Sequence, residues 1–107
     1  MRFLIINAIA FASLIVVAAL WPYPFGVLIA LAVLSAAALL VERSRSAGVL
    51  YVLCGVLGLS AEAFAVAFGA WSYATPQVLG VPLWLIPLWG LAGIYVAAVS
   101  RFVRRFE

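Results

Sequence analysis

The sequence predicts an all-α integral membrane protein, a four-helix bundle built from two helical hairpins, with both termini in the cytoplasm. Of the 107 residues, 70% are hydrophobic and only 8% are charged, whereas roughly a quarter of the residues in soluble domains are charged. Four apolar segments approach the length of about 20 helical residues that crosses a hydrocarbon core. The charges lie between or beyond these segments, with the exception of Glu62.

The four segments form one transmembrane domain over residues 1–107 and are predicted as helices at about 3–20, 25–41, 48–70 and 82–100. Backbone N–H and C=O groups in lipid must pair within their own segment, so helix is the expected state of each one. Pro82 and Pro87 are expected to break the start of the fourth helix, because proline lacks the N–H that a helix interior needs.

The connections between these segments alternate in character, which predicts orientation. Trp21 to Gly26 and Trp71 to Val81 carry no charge and are rich in aromatic residues, which favour the membrane interface. All the arginines lie on the opposite side, at the start of the chain, in the second connection and in the tail. The positive-inside rule places this side in the cytoplasm, as expected for a multi-pass protein of the cell membrane. Three basic residues of the tail are expected to contact anionic lipid head groups or to act as a topology anchor: Arg101, Arg104 and Arg105.

Composition excludes several kinds of site. The chain has no Asp, Lys or His and a single cysteine, Cys54. An internal disulfide, a Ser-His-Asp triad and a Cys-His pair are therefore excluded. We expect no metal site and no cofactor, because the usual zinc and haem ligands are missing. The arginines flank the spans and form no basic face, so a nucleic-acid partner is not expected.

Glu62 is the acid inside a predicted span, where a charge costs on the order of a few kcal/mol. On a helical wheel it shares a face with Gly55, Gly58 and Gly69. Small residues of this kind let helices pack closely in lipid. We therefore expect Glu62 to face protein and these glycines to pack against another helix.

Three roles stay open for Glu62. It is a protonated side chain bonded to a neighbouring helix, through Asn7, Ser13 or a carbonyl freed by Pro87. Alternatively, it is a general acid or proton carrier, or it contacts a partner subunit or a cationic ligand. Asn7, the second polar residue at membrane depth, is expected to donate an interhelical hydrogen bond or to touch a ligand.

One segment resembles a known group of proteins. From Glu62 the chain reads Glu-x5-Phe68-Gly69-x-Trp71-x-Tyr73, then Leu79-Gly80-Val81-Pro82 and Ile86-Pro87-Leu88-Trp89. This stretch, about residues 62–89, resembles the carotenoid biosynthesis membrane proteins, which include carotenoid hydratases, and more distantly the small lycopene cyclase subunits.

The resemblance implies an isoprenoid ligand with Glu62 as the catalytic acid, which would protonate a carbon–carbon double bond. It further implies an apolar slot whose ring faces stabilise the resulting cation, lined by Trp71, Tyr73, Trp84 and Trp89. An interfacial aromatic belt is the alternative for these four side chains. The cyclases place a pair of acids where this chain has Trp89-Gly90, so cyclase chemistry is not implied.

Three functions follow from these features. The first is a non-catalytic subunit or scaffold of a membrane complex, packed against a partner or a second copy through the glycine face of the third helix. The second is a membrane protein that binds a lipid or isoprenoid, with or without catalysis. The third is a small proton-coupled transporter working as a dimer. Small multidrug resistance transporters are similar in size and in having one buried Glu, which in them belongs to the first helix.

Overall fold

The computed structural model describes all 107 residues and confirms the all-α, four-helix fold class. Every helix is long and apolar enough to cross a membrane, and the chain has no strand beyond one isolated bridge in a loop. The helices are α1 (Arg2–Leu20), α2 (Pro24–Glu42), α3 (Arg45–Ala67) and α4 (Leu85–Val103), and a short 3-10 turn (Arg104–Phe106) follows. The cytoplasmic placement of the termini stays a prediction from the arginine distribution.

The helices run up and down, so the bundle has two distinct ends. The α1–α2 and α3–α4 loops lie at what we call the loop end. The start of α1, the α2–α3 loop and the chain after α4 lie at what we call the arginine end. Contacts across the bundle place these parts together: Phe3 stacks on Phe102, and Glu42 bonds Arg101.

Both ends of α3 differ from the predicted bounds of 48–70. The helix begins earlier because the Ser44 hydroxyl caps it, accepting a hydrogen bond from the Ala47 N–H at 3.1 Å. It ends at Ala67 in a Schellman motif, in which the Gly69 N–H donates to the Val66 carbonyl and the next N–H donates to the Ala65 carbonyl. Gly69 has a φ of +79°, which suits glycine and cannot continue a helix.

The helix α4 begins at Leu85 instead of 82, because the residues before it form a tight turn. Val78 and Val81 exchange hydrogen bonds of 3.0 and 2.8 Å, and Leu79 and Gly80 between them have positive φ, as in a type I′ turn. Pro82 therefore lies outside the helix, and the predicted break within α4 is wrong.

Pro87 does not kink α4 either. It occupies the first turn of the helix, where backbone N–H groups have no partner within the helix and proline is tolerated. The Leu83 carbonyl, which Pro87 cannot bond, accepts a hydrogen bond from the Ile86 N–H at 3.1 Å. No carbonyl is freed there for Glu62.

The central helix is α4, which contacts each of the other three. Its closest partner is α3, and the two interlock small residues with large ones. A Cβ on Gly58 would lie 2.1 Å from the Trp89 ring, and one on Gly90 would lie 2.5 Å from the Tyr51 ring. Gly55 packs in the same way against Ile86. Gly55 and Gly58 are thus covered within the chain and are not free for a partner.

Gly69 corrects one part of the predicted packing face. It lies beyond the end of α3, it is exposed, and a Cβ there would meet nothing within 4 Å. The helical wheel extended the helix through residue 69, but α3 ends at Ala67. Gly69 therefore serves the turn and not the packing of helices.

Candidate functional site: a lateral cavity beside Glu62

Glu62 lies on α3, five residues before the last helical residue, Ala67. At a rise of about 1.5 Å per residue, this puts it roughly 8 Å inside the loop end of the helix, somewhat shallower than the two turns expected. The side chain is half-buried. It faces protein, as expected, but its partners belong to the α3–α4 loop.

The Glu62 carboxyl is held by two donors from this loop. The Trp71 Nε1–H donates to Oε2 at 3.1 Å, and the Tyr73 hydroxyl donates to the same oxygen. The Schellman turn at Gly69 makes this possible, since it folds the chain back over the end of α3. Oε1 accepts no hydrogen bond from the protein.

The partners expected for Glu62 are engaged elsewhere. Asn7 Nδ2 donates to the Phe3 carbonyl of its own helix at 2.8 Å, and the Ser13 hydroxyl donates to the Ala10 carbonyl at 2.6 Å. Polar side chains within a helix often bond their own backbone in this way. Asn7 thus makes no interhelical hydrogen bond, and it does not line the cavity next to Glu62.

The Tyr73 hydroxyl keeps its proton at physiological pH and serves as a hydrogen-bond donor. Burial raises the pKa of its hydroxyl to about 12, with further contributions from the hydrogen bond to Glu62 and the charge of Glu62. Its ring meets the Trp84 ring edge-on, with the ring centroids 6.2 Å apart. The loop therefore supplies a neutral phenol that both packs against α4 and fixes the carboxyl.

A cavity of about 500 Å³ adjoins this carboxyl. It lies between α1 and α4, and it reaches along α4 from Leu85 to Tyr95, which is about 15 Å of helix. Its walls are almost entirely apolar: Ala10, Phe11, Ser13, Leu14, Val17, Glu62, Tyr73, Trp84, Leu85, Leu88, Trp89, Leu91, Ala92 and Tyr95.

The cavity opens sideways, towards the region that lipid would occupy. No Cα atoms of α1 and α3 lie within 8 Å of each other, so these helices leave a cleft with α4 behind it. Phe11, Leu14 and Trp89 line the cavity and are nevertheless exposed. A molecule dissolved in the bilayer could thus reach Glu62 without crossing the loop end.

Three of the four aromatic residues predicted to line an apolar slot do line the cavity, and one does not. Tyr73, Trp84 and Trp89 line the cavity, whereas Trp71 bonds Glu62 from outside it. Trp84 is buried, with 6% of its surface exposed, and its Nε1–H has no partner in the protein. A buried donor without a partner is rare, and this one lies within the protein, so Trp84 offers the cavity its ring and not its N–H.

The three tail arginines have different surroundings. Arg101 bonds Glu42 at 2.8 Å, and Arg105 lies over the Phe102 ring. Arg104 bonds only the Ser100 carbonyl, near the end of α4, at 3.4 Å. Arg101 and Arg105 line a second cavity, at the arginine end, which Arg2 joins and Arg104 does not. Arg2 was not predicted to contact lipid head groups, although the positive-inside rule places it on the same side as the tail arginines.

No group of three or more His, Cys, Asp or Glu side chains lies close enough to hold a metal ion.

Comparisons with known proteins identify a family without assigning an activity. No curated protein and no solved structure matches the chain. Residues 4–107 match the family described as protein of unknown function (DUF2878). Because this match covers nearly the whole sequence, the chain belongs to the DUF2878 family.

Proposed function

We propose that this protein binds an isoprenoid or similar long apolar molecule in the lateral cavity, with the polar end of the ligand at Glu62. The observation that carries the proposal is the cavity itself: about 500 Å³ of apolar space with one carboxyl at its edge. Ligand pockets typically measure about 300–1,000 Å³ and combine apolar walls with a few placed polar groups.

The lateral opening supports a ligand that comes from the bilayer. The cleft between α1 and α3 is walled by apolar side chains, and it lies within the lengths of helix that can span a membrane. A water-soluble ligand would gain little from such walls, whereas a hydrocarbon chain gives up nothing by leaving lipid for them. Selectivity must then come from the polar groups.

Glu62 favours a hydroxyl as the head of the ligand. Its Oε1 is an acceptor that no protein group uses. A ligand hydroxyl can donate to this oxygen, whereas a hydrocarbon end cannot. The loop residues Trp71 and Tyr73 hold the carboxyl in place before the ligand arrives.

Binding can be tested with a variant that fills the cavity. Ala92 lines the cavity, whereas Ala32 on α2 is exposed and does not. Native mass spectrometry in mild detergent with added geranylgeraniol should give a bound complex for the wild type and for Ala32→Trp, and none for Ala92→Trp. The corresponding hydrocarbon without the hydroxyl should bind more weakly. Equal retention by the two tryptophan variants would refute the cavity as the site.

A catalytic version of this proposal rests on the resemblance to carotenoid hydratases, which stays a prediction. In it, Glu62 gives its proton to one carbon of a double bond, and the neighbouring carbon becomes a cation. Water adds to this cation and loses a proton, which restores the acid form of Glu62, so the net reaction is hydration. The ring faces of Tyr73, Trp84 and Trp89 stabilise the positive charge.

This chemistry has its own test, separate from binding. An isoprenoid incubated with the protein in deuterated water should gain deuterium on carbon, and Glu62→Gln should abolish the exchange while still binding the ligand. The amide retains a carbonyl oxygen for Trp71 and Tyr73, so we expect the loop to keep its conformation. If the wild type binds the isoprenoid without exchange, the protein is a carrier and the enzyme hypothesis is refuted.

The subunit hypothesis loses its expected docking face. Gly55 and Gly58 are covered by Ile86 and Trp89 of the same chain, so a partner would need another surface. The native mass spectrum reports this alternative too, because a complex of fixed stoichiometry would appear alongside any ligand. Release of protons on addition of substrate would favour the transporter hypothesis.

A further inference from the structure

The arginine end holds a second cavity, which is lined by three arginines where the first is lined mostly by apolar side chains. It measures about 400 Å³ and lies between the start of α1 and the end of α4. Three arginines line it, Arg2, Arg101 and Arg105, together with Met1, Phe3 and Phe102. No carboxylate lines it. Like charges gather in this way where an anion is to be held.

Neighbouring side chains already order part of this cluster. The Phe3 and Phe102 rings stack with centroids 4.5 Å apart and planes 5° from parallel, which joins α1 to α4 at the cavity wall. The Arg105 guanidinium lies 5.8 Å from the centre of the Phe102 ring. Arg101 is oriented by Glu42, which bonds it at 2.8 Å without itself lining this cavity.

The charge balance narrows the choice of anion. Arg2 and Arg105 have no ion-pair partner, whereas Arg101 is offset by Glu42. Met1, which carries the terminal amino group, also lines the cavity, so the excess is three positive charges. A phosphate monoester carries about −1.5 to −2 at neutral pH and offsets more of this excess than a diester with a single charge. The planar fork of arginine also fits phosphate oxygens in pairs.

We propose that this cavity binds a phosphate monoester, presented by a lipid such as phosphatidic acid or by a soluble phosphate ester. The site stands at the end of the membrane-spanning helices, the level at which lipid phosphates lie. It shares no residue with the cavity beside Glu62, so each proposal can fail without the other.

The test compares two pairs of arginine substitutions. Binding of short-chain phosphatidic acid is measured by isothermal titration on the purified protein in an uncharged detergent. Arg2→Gln with Arg105→Gln should weaken binding at least tenfold. Arg43→Gln with Arg45→Gln removes the same charge from the same end of the bundle, in residues that do not line the cavity, and should weaken it less than threefold. Equal loss in both pairs would refute the site, because it would show attraction to surface charge alone.

Further variants and ligands complete the design. Arg2→Lys with Arg105→Lys keeps the charge and loses the forks, so binding should be intermediate, and the helical circular dichroism of every variant should match the wild type. Glycerol 3-phosphate binding as tightly as phosphatidic acid would support the site and identify a soluble occupant. Phosphatidylglycerol, a diester, should bind at least threefold more weakly, and equal binding would overturn the preference for a monoester.

Discussion

The ion pair between Glu42 and Arg101 predicts an unequal response to removing its two partners. The pair joins the end of α2 to the end of α4 at 2.8 Å, and 5% of the Glu42 side chain is exposed against 41% of the Arg101 side chain. Loss of the arginine leaves a buried carboxylate without a partner. Loss of the glutamate leaves a guanidinium that can turn to solvent.

The exposed fractions of the two side chains determine how much each substitution lowers the free energy of unfolding. Breaking a fully buried pair costs about 3–5 kcal/mol, and the partial exposure of Arg101 reduces this through solvent screening. We therefore expect Arg101→Gln to lower the free energy of unfolding by about 2–3 kcal/mol. Glu42→Gln should cost at most about 1 kcal/mol, as for an exposed pair. The double variant should resemble Glu42→Gln, because the buried charge is gone.

The assay is unfolding of the purified protein by dodecyl sulfate in mild detergent micelles, followed by far-ultraviolet circular dichroism. Arg43→Gln is the control, since it removes one exposed arginine from the adjacent loop and corrects for altered binding of the anionic detergent. Equal costs for the two single variants, or a double variant as unstable as their sum, would refute the reasoning.

Residues of α3 and of the α3–α4 loop give further predictions. Gly58→Ala should cost about 1–3 kcal/mol in the same unfolding assay, because its Cβ would lie 2.1 Å from an indole ring. Gly48→Ala, with nothing within 4 Å, should be neutral or slightly stabilising, and a similar loss at both glycines would contradict the packing argument. Phenolate absorbance should show Tyr73 neutral below its pKa of about 12 and ionised above it. Glu62→Gln should move that ionisation part of the way towards the ordinary pKa of 10.0, since burial, the largest cause, persists; no movement would refute the coupling. Trp84→Phe should lower the free energy of unfolding by about 1–2 kcal/mol, because the smaller ring leaves a gap at a buried site. Nothing is added for the N–H, which has no protein partner, and a loss of about 3 kcal/mol or more would show that it has one.

Hydropathy alone predicted the four helices, because each span is long, apolar and bounded by charge or by aromatic turns. The ends of α3 and α4 were missed by three residues for a local reason. A Schellman motif at Gly69 and a type I′ turn at Leu79 and Gly80 depend on backbone angles that hydropathy does not report. The helical wheel placed Gly55, Gly58 and Gly69 on one packing face. Gly55 and Gly58 do pack against α4, whereas Gly69 does not, since the wheel ran past the true end of the helix.

The environment of Glu62 was predicted only in part. Its orientation towards protein followed from the helical wheel, whereas its partners depend on the path of the loop after Gly69. Trp71 and Tyr73 had been singled out as aromatic surfaces, and the structure uses them as hydrogen-bond donors. Asn7 was expected to bond another helix because a helical wheel shows only which side a residue faces. It does not show that the backbone of the same helix already accepts a hydrogen bond from the Asn7 amide.

The nearness in sequence of Glu62 to its two donors bears on how the protein enters the membrane during synthesis. Trp71 and Tyr73 follow it by nine and eleven residues, so the acid can acquire both bonds as soon as the second hairpin leaves the insertion machinery. Docking of the first hairpin is not required to shelter it. A segment that holds a carboxylate can thus be released into lipid with its costliest group already satisfied, and the newly made chain need not pass through a stage with that charge exposed to acyl tails.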